Sequence, residues 1–123
     1  MESNKHERAA EYEALAPICS ALRLVEESLN KGERVTVADM AEACFLSESH
    51  FRRVFGARMG ESPKGYLTRK RLEKAAILLR NGALSVSQIS WSCGFRNHST
   101  FYRDFVKHYG CNPSEYREKN LEK

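Results

Sequence analysis

Residues 35–66 and 84–116 are two copies of one pattern, and no other feature limits the possible folds as much. Val37, Met40 and Cys44 match Val86, Ile89 and Cys93 at an offset of 49. Phe51, Arg53, Phe55, Gly60, Pro63 and Tyr66 match Phe101, Arg103, Phe105, Gly110, Pro113 and Tyr116 at an offset of 50. The second copy gains one residue between these two blocks. A self-similar stretch of this length is one supersecondary unit made twice.

Local signals give each unit its parts. Thr36 with Asp39, and Ser85 with Gln88, have the spacing of an N-cap and the residue three further on, which together tie off a helix start. Short helices of about eight residues follow, with Val37, Met40, Ala41 and Cys44 facing inward in the first copy. Ser47 and Asn97 cap second helices, expected near 47–59 and 97–109. Phe51, Val54, Phe55 and Met59, and Phe101, Phe105 and Tyr109, recur at helical spacing, and these rings read as core. Third helices begin at Ser62-Pro63 and Asn112-Pro113, because proline is tolerated at the first helical position.

Each unit is thus a short helix, a tight turn of three or four residues, and a second helix: the helix-turn-helix pattern. Gly94 suits a turn position that needs positive φ. The first copy has Phe45 there, which costs about 1 kcal/mol if it adopts the same conformation, so the first turn is expected to differ in detail. Between the units, Tyr66, Leu67, Leu72, Ala75, Ala76 and Leu79 lie on one helix face and Gly82 stops the run. A helix of about 18 residues spans roughly 27 Å and serves as a spacer. Ahead of the first unit, Ile18, Leu22, Val25 and Leu29 form the inner face of another helix, while residues 1–13 fit either a helix or a frayed end. No strand pattern occurs. The expected fold is all-α, with two helix-turn-helix subdomains joined by a long linking helix and about seven helices in total. Its parts are an acidic extension (1–16), a first subdomain (17–61), the linking helix (62–82) and a second subdomain (83–123).

Charge is divided along the chain. Residues 1–30 carry six acids and three bases, whereas residues 31–123 carry ten acids and 17 bases. A basic body behind an acidic leader points to a polyanionic partner, nucleic acid or a membrane surface. No run of about 18 apolar residues is present to span a membrane, and the charged start lacks the apolar stretch of a secretion signal. Cys19, Cys44, Cys93 and Cys111 are too scattered for a zinc site, so reduced and mostly buried thiols are expected. Trp91 is assigned to packing. His6, His50, His98 and His108 show no spacing that would build a metal or catalytic site, so no cofactor, metal or enzymatic activity is expected.

The second unit carries the more specific motifs: "GF" at 94–95, "STFYRDF" at 99–105 and "GCNPSEYR" at 110–117. With the first unit they resemble the DNA-binding domain of the AraC/XylS family of bacterial transcription regulators, over about Pro17 to Arg117. The resemblance implies two recognition helices entering successive major grooves of double-stranded DNA. With no room for an effector or dimerisation domain, the chain is similar to short, single-domain members. That likeness implies a cytoplasmic, monomeric regulator, an activator in contact with RNA polymerase, with no membrane partner. A fragment of a larger effector-responsive regulator, and a helix-turn-helix module that binds protein, remain as alternatives.

Carried onto this sequence, the family's base-reading positions are Ser49, Arg52 and Arg53 in the first unit and His98, Ser99, Tyr102 and Arg103 in the second. An arginine bonds two acceptors of guanine at once, so Arg52, Arg53 and Arg103 lead. Tyr102 flanks the apolar face and is expected to be half core. Phosphate contacts are expected from the helix starts at Thr36, Ser62, Ser85 and Asn112, and from Arg96, Thr100 and Lys107. Lys70, Arg71 and Lys74 on the linking helix are either solvated or turned to DNA.

Overall fold

The computed structural model describes residues 15–121. A short 3-10 turn, Ala16–Ile18, leads into α1 (Cys19–Lys31), and six further helices follow: α2 (Val37–Ala43), α3 (Glu48–Met59), α4 (Pro63–Asn81), α5 (Val86–Ser92), α6 (His98–Tyr109) and α7 (Pro113–Asn120). No strand occurs among the described residues. Most of the acidic extension, including residues 1–13, lies outside them.

The described residues divide into two compact units. One holds residues 15–27 and Val35–Gly65, the other Ser28–Arg34 and residues 66–121. In the first, Ile18 of the 3-10 turn and Ala21 and Val25 of α1 are buried, as are Met40 and Ala41 of α2 and Phe51 and Phe55 of α3. The two phenylalanine rings lie 5.4 Å apart, centre to centre. Leu22 on α1, Val37 on α2 and Val54 and Met59 on α3 are only half-buried, so the inner stripe is narrower than the apolar spacing suggests.

In the second unit Leu72, Ala75 and Leu79 of α4 form one core with Ile89, Cys93, Phe95, Phe101 and Phe105. Rings run in series through it. Phe95 and Phe101 are 5.0 Å apart, Phe101 and Phe105 5.7 Å, and Phe105 and Tyr109 4.6 Å. Three polar contacts tie α7 back onto α4 and the loop beyond it. Arg80 Nη1 donates to the Tyr116 hydroxyl at 2.8 Å, Arg117 Nε donates to the Leu79 carbonyl at 3.2 Å, and Arg117 Nη2 donates to the carbonyl of Leu84. A buried carbonyl left without a donor costs more than the bond itself gives, so Arg117 seals the end of α4.

The two helix-turn-helix turns close in the same way, contrary to expectation. Three residues, 44–46, separate α2 from its successor's cap Ser47, and four, 93–96, separate α5 from Asn97. In the first turn Phe45 N–H donates to Glu42 O at 3.0 Å and Leu46 N–H to Ala41 O at 3.1 Å. In the second, Gly94 N–H donates to Trp91 O at 3.0 Å and Phe95 N–H to Ser90 O at 3.2 Å. Both are Schellman closures with a left-handed residue just past the helix. Gly94 sits at φ 88° and Phe45 at φ 57°. The first turn keeps its geometry and accepts the strain.

Two other expectations are corrected. Trp91 is 70% exposed rather than packed. A helix of seven residues has room for one apolar stripe, here Val86, Ile89 and Cys93, and Trp91 is turned about 200° from Ile89. Of the four free thiols only Cys93 is buried; Cys19, Cys44 and Cys111 are half-buried. Burial pushes the Cys93 thiol up to about 11, because desolvation disfavours a thiolate.

Candidate nucleic-acid interface

The second helix of each unit packs through its phenylalanines and turns a polar face outward. On α3, Ser47 Oγ accepts from the N–H of His50 at 3.2 Å and fixes the helix start. Phe51 and Phe55 are fully buried, which leaves Ser49, Arg52 and Arg53 exposed. Arg52 Nη2 lies 2.9 Å from Glu48 Oε1, with both side chains about half exposed. Such a surface pair contributes about 0.3–0.5 kcal/mol, so Arg52 is released cheaply to another acceptor. Arg53 has no ion pair among the described residues and lies beside His50, Val54, Ala57 and Arg58.

On α6, Asn97 Oδ1 accepts from the Thr100 N–H at 2.8 Å. His98, Ser99, Arg103 and Lys107 are exposed, whereas Thr100 and Tyr102 are half-buried. Tyr102 sits on the flank, its ring 5.8 Å from that of His98, which makes an aromatic ridge beside the donors. Arg103 is 76% exposed, and its contact with the neighbouring Asp104 is long, at 3.9 Å. Arg96 is exposed in the turn ahead of the helix. Lys107 falls in the last turn of α6, where a cation also complements the helix dipole.

The caps named for phosphate are already engaged. Thr36 and Asp39 form a reciprocal capping box, as do Ser85 and Gln88. Ser62 Oγ accepts from Gly65 N–H at 3.0 Å, and Asn112 Oδ1 from Glu115 N–H at 2.8 Å. The first turns differ in charge. Asp39 stands in that of α2, Glu48 in that of α3 and Glu115 in that of α7, whereas α4, α5 and α6 have no acid there. An acid at a helix start competes with a phosphate for the same positive end. The acid-free starts of α5 and α6 favour the second unit for phosphate, a distinction that the spacing of caps alone had missed.

On the linking helix, Lys70, Arg71 and Lys74 are half-buried rather than fully solvated. Burial, reinforced by Arg34, lowers the proton affinity of the Arg71 guanidinium. A side chain at position 94 would also meet Arg71 Nε at 3.2 Å, so glycine there serves close packing as well as turn geometry.

A helix-turn-helix domain family matches residues 40–119. An AraC-type transcriptional regulator from Chromobacterium violaceum superposes with a TM-score of 0.77 at 25% identity, over 89% of this chain and 96% of that one. The chain belongs to the AraC/XylS family. Another solved structure like this AraC/XylS-type domain is the DNA-binding domain of AdpA in complex with a target DNA, with a TM-score of 0.73 and 27% identity over 81% of this chain and 91% of that one. Among curated relatives, the Escherichia coli activator RclR, described as specific for RCS, is 35% identical over 88 residues, 72% of this chain and 31% of its own length. The domain spans about a third of the length of the curated relatives it matches first. Those relatives are transcriptional regulators, not enzymes. Among the described residues no cluster of His, Cys, Asp and Glu could hold a metal, and no helix is long and apolar enough to cross a membrane.

Proposed function

We propose that this AraC/XylS-type domain reads double-stranded DNA through the outward faces of α3 and α6 and acts there as a transcriptional activator that contacts RNA polymerase. The observation that carries the reading is the equivalence of Arg53 and Arg103: repeat partners, both exposed on helices whose other side is fully buried phenylalanine. The packing of each unit is complete without these arginines, so their donors are available to guanine O6 and N7. Ser49 and Arg52 in the first unit, and His98, Ser99 and Tyr102 in the second, complete the base-reading set. Arg96, Thr100 and Lys107, with the helix starts at Ser62 and Ser85, hold the phosphates, and the starts at Thr36 and Asn112, each with an acid in its first turn, hold them more weakly. The chain binds as a monomer, one box to each unit. That RclR is named as an activator supports the sign of the regulation, and a target DNA bound by the domain of AdpA supports the ligand.

Selection of sites from a random duplex library at near-physiological salt tests this. Two unlike boxes separated by about one helical turn are expected. A palindrome would contradict the monomer, and folded protein with no enriched sequence would contradict the reading of bases.

A further inference from the structure

The turn between α2 and α3 holds a residue that neither packing nor DNA reading uses. Phe45 is 94% exposed and sits at φ 57°, the sole non-glycine residue with positive φ among the described residues. Its repeat partner Gly94 closes the same turn without that strain. The first unit therefore keeps a large ring where a smaller residue would suit both backbone and solvent. A strained, exposed residue of this kind is a candidate for function. What surrounds it indicates the partner. Phe45 shares a shallow depression with Ala38, Ala41, Glu42, Leu46 and Glu48. Two exposed carboxylates border the ring: Glu48 is paired with Arg52 at 2.9 Å, whereas Glu42 has no ion pair among the described residues and no cation lines the depression itself. A nucleic-acid backbone would be repelled there, whereas an aromatic knob flanked by acids complements a protein recess rimmed by cations.

We propose that Phe45, with Glu42 and Glu48, is the anchor of a protein-docking surface for a partner that offers an apolar recess bordered by Lys or Arg. The proposal rests on the reading above, since docking takes place while the domain is on DNA.

The test uses the whole chain, a promoter fragment carrying its selected site, and purified bacterial RNA polymerase holoenzyme as the probe, because the proposed function brings that enzyme to the same DNA. Phe45→Gly restores the residue of the second turn. Its melting temperature is expected to equal or exceed that of the parent, with DNA affinity within about twofold and stimulation of transcription reduced by roughly tenfold. Glu42→Lys is expected to lose stimulation too, with no loss of DNA affinity. Stimulation unchanged by Phe45→Gly overturns the proposal. So does a lower melting temperature, which would make Phe45 a packing residue, or a tenfold loss of DNA affinity, which would make it a DNA contact. Parent protein that binds its site without altering transcription overturns docking on the polymerase and leaves DNA reading intact. Parent protein that binds no DNA overturns the regulator reading itself.

Discussion

Gly56 shows how closely single residues can be interpreted here. It lies inside α3, and a Cβ built on it meets nothing within 4 Å. Its repeat partner Val106 occupies the corresponding position on α6 and is 38% exposed. Glycine inside a helix costs about 0.5–1 kcal/mol relative to alanine. Gly56→Ala is therefore expected to stabilise the domain by about that amount in urea unfolding, with an unchanged m-value. Cys93 makes a second case. Its folded pKa of about 11 lies above the ordinary 9.0, so the folded state holds its thiol proton to higher pH than the unfolded chain does. The associated stability is complete below pH 9 and is lost as pH rises toward 11, on the order of 2–3 kcal/mol. Tyr109, also raised by burial, steepens the same decline. Cys93→Ala should flatten stability against pH in that window; an unchanged slope would show that other groups set it.

At the scale of elements, what was legible in the sequence was what is local. The capping boxes at Thr36 and Ser85, the caps at Ser47 and Asn97, and the prolines at 63 and 113 act over three residues or fewer, and each helix start stands where that chemistry placed it. Phe51, Phe55, Phe101 and Phe105 were readable as core because the repeat doubles their evidence. Trp91 was not, because on a helix of seven residues an apolar side chain is assigned to a face only by its neighbours in space. Phe45 was half legible: the mismatch with Gly94 marks the position, but its exposure depends on what else reaches the turn. The outward arginines were visible as periodicity, whereas the acids at the helix starts became informative only with the caps in place. Asp39 at the start of α2 is expected to oppose a phosphate there. Asp39→Asn keeps an oxygen for the cap and should tighten binding to duplex DNA by about two- to fivefold in a titration. Weaker binding would remove α2 from the phosphate-facing set.

For the whole molecule, the charge division gives a quantitative expectation. Residues 31–123 carry a net charge of +7, and residues 1–30 a net charge of −3. A basic body that neutralises several phosphates releases counterions, so the logarithm of affinity should fall with the logarithm of salt at a slope of roughly −4 to −6. A slope near zero would mean that the arginine faces meet a protein. The central claim is that two equivalent helices each read their own bases. It is tested most directly by repeating site selection with Arg53→Ala and with Arg103→Ala. Each variant is expected to lose about 1–3 kcal/mol at the parent site and to relax one box while the other stays intact. Both variants selecting the parental sequence with parental affinity would contradict it.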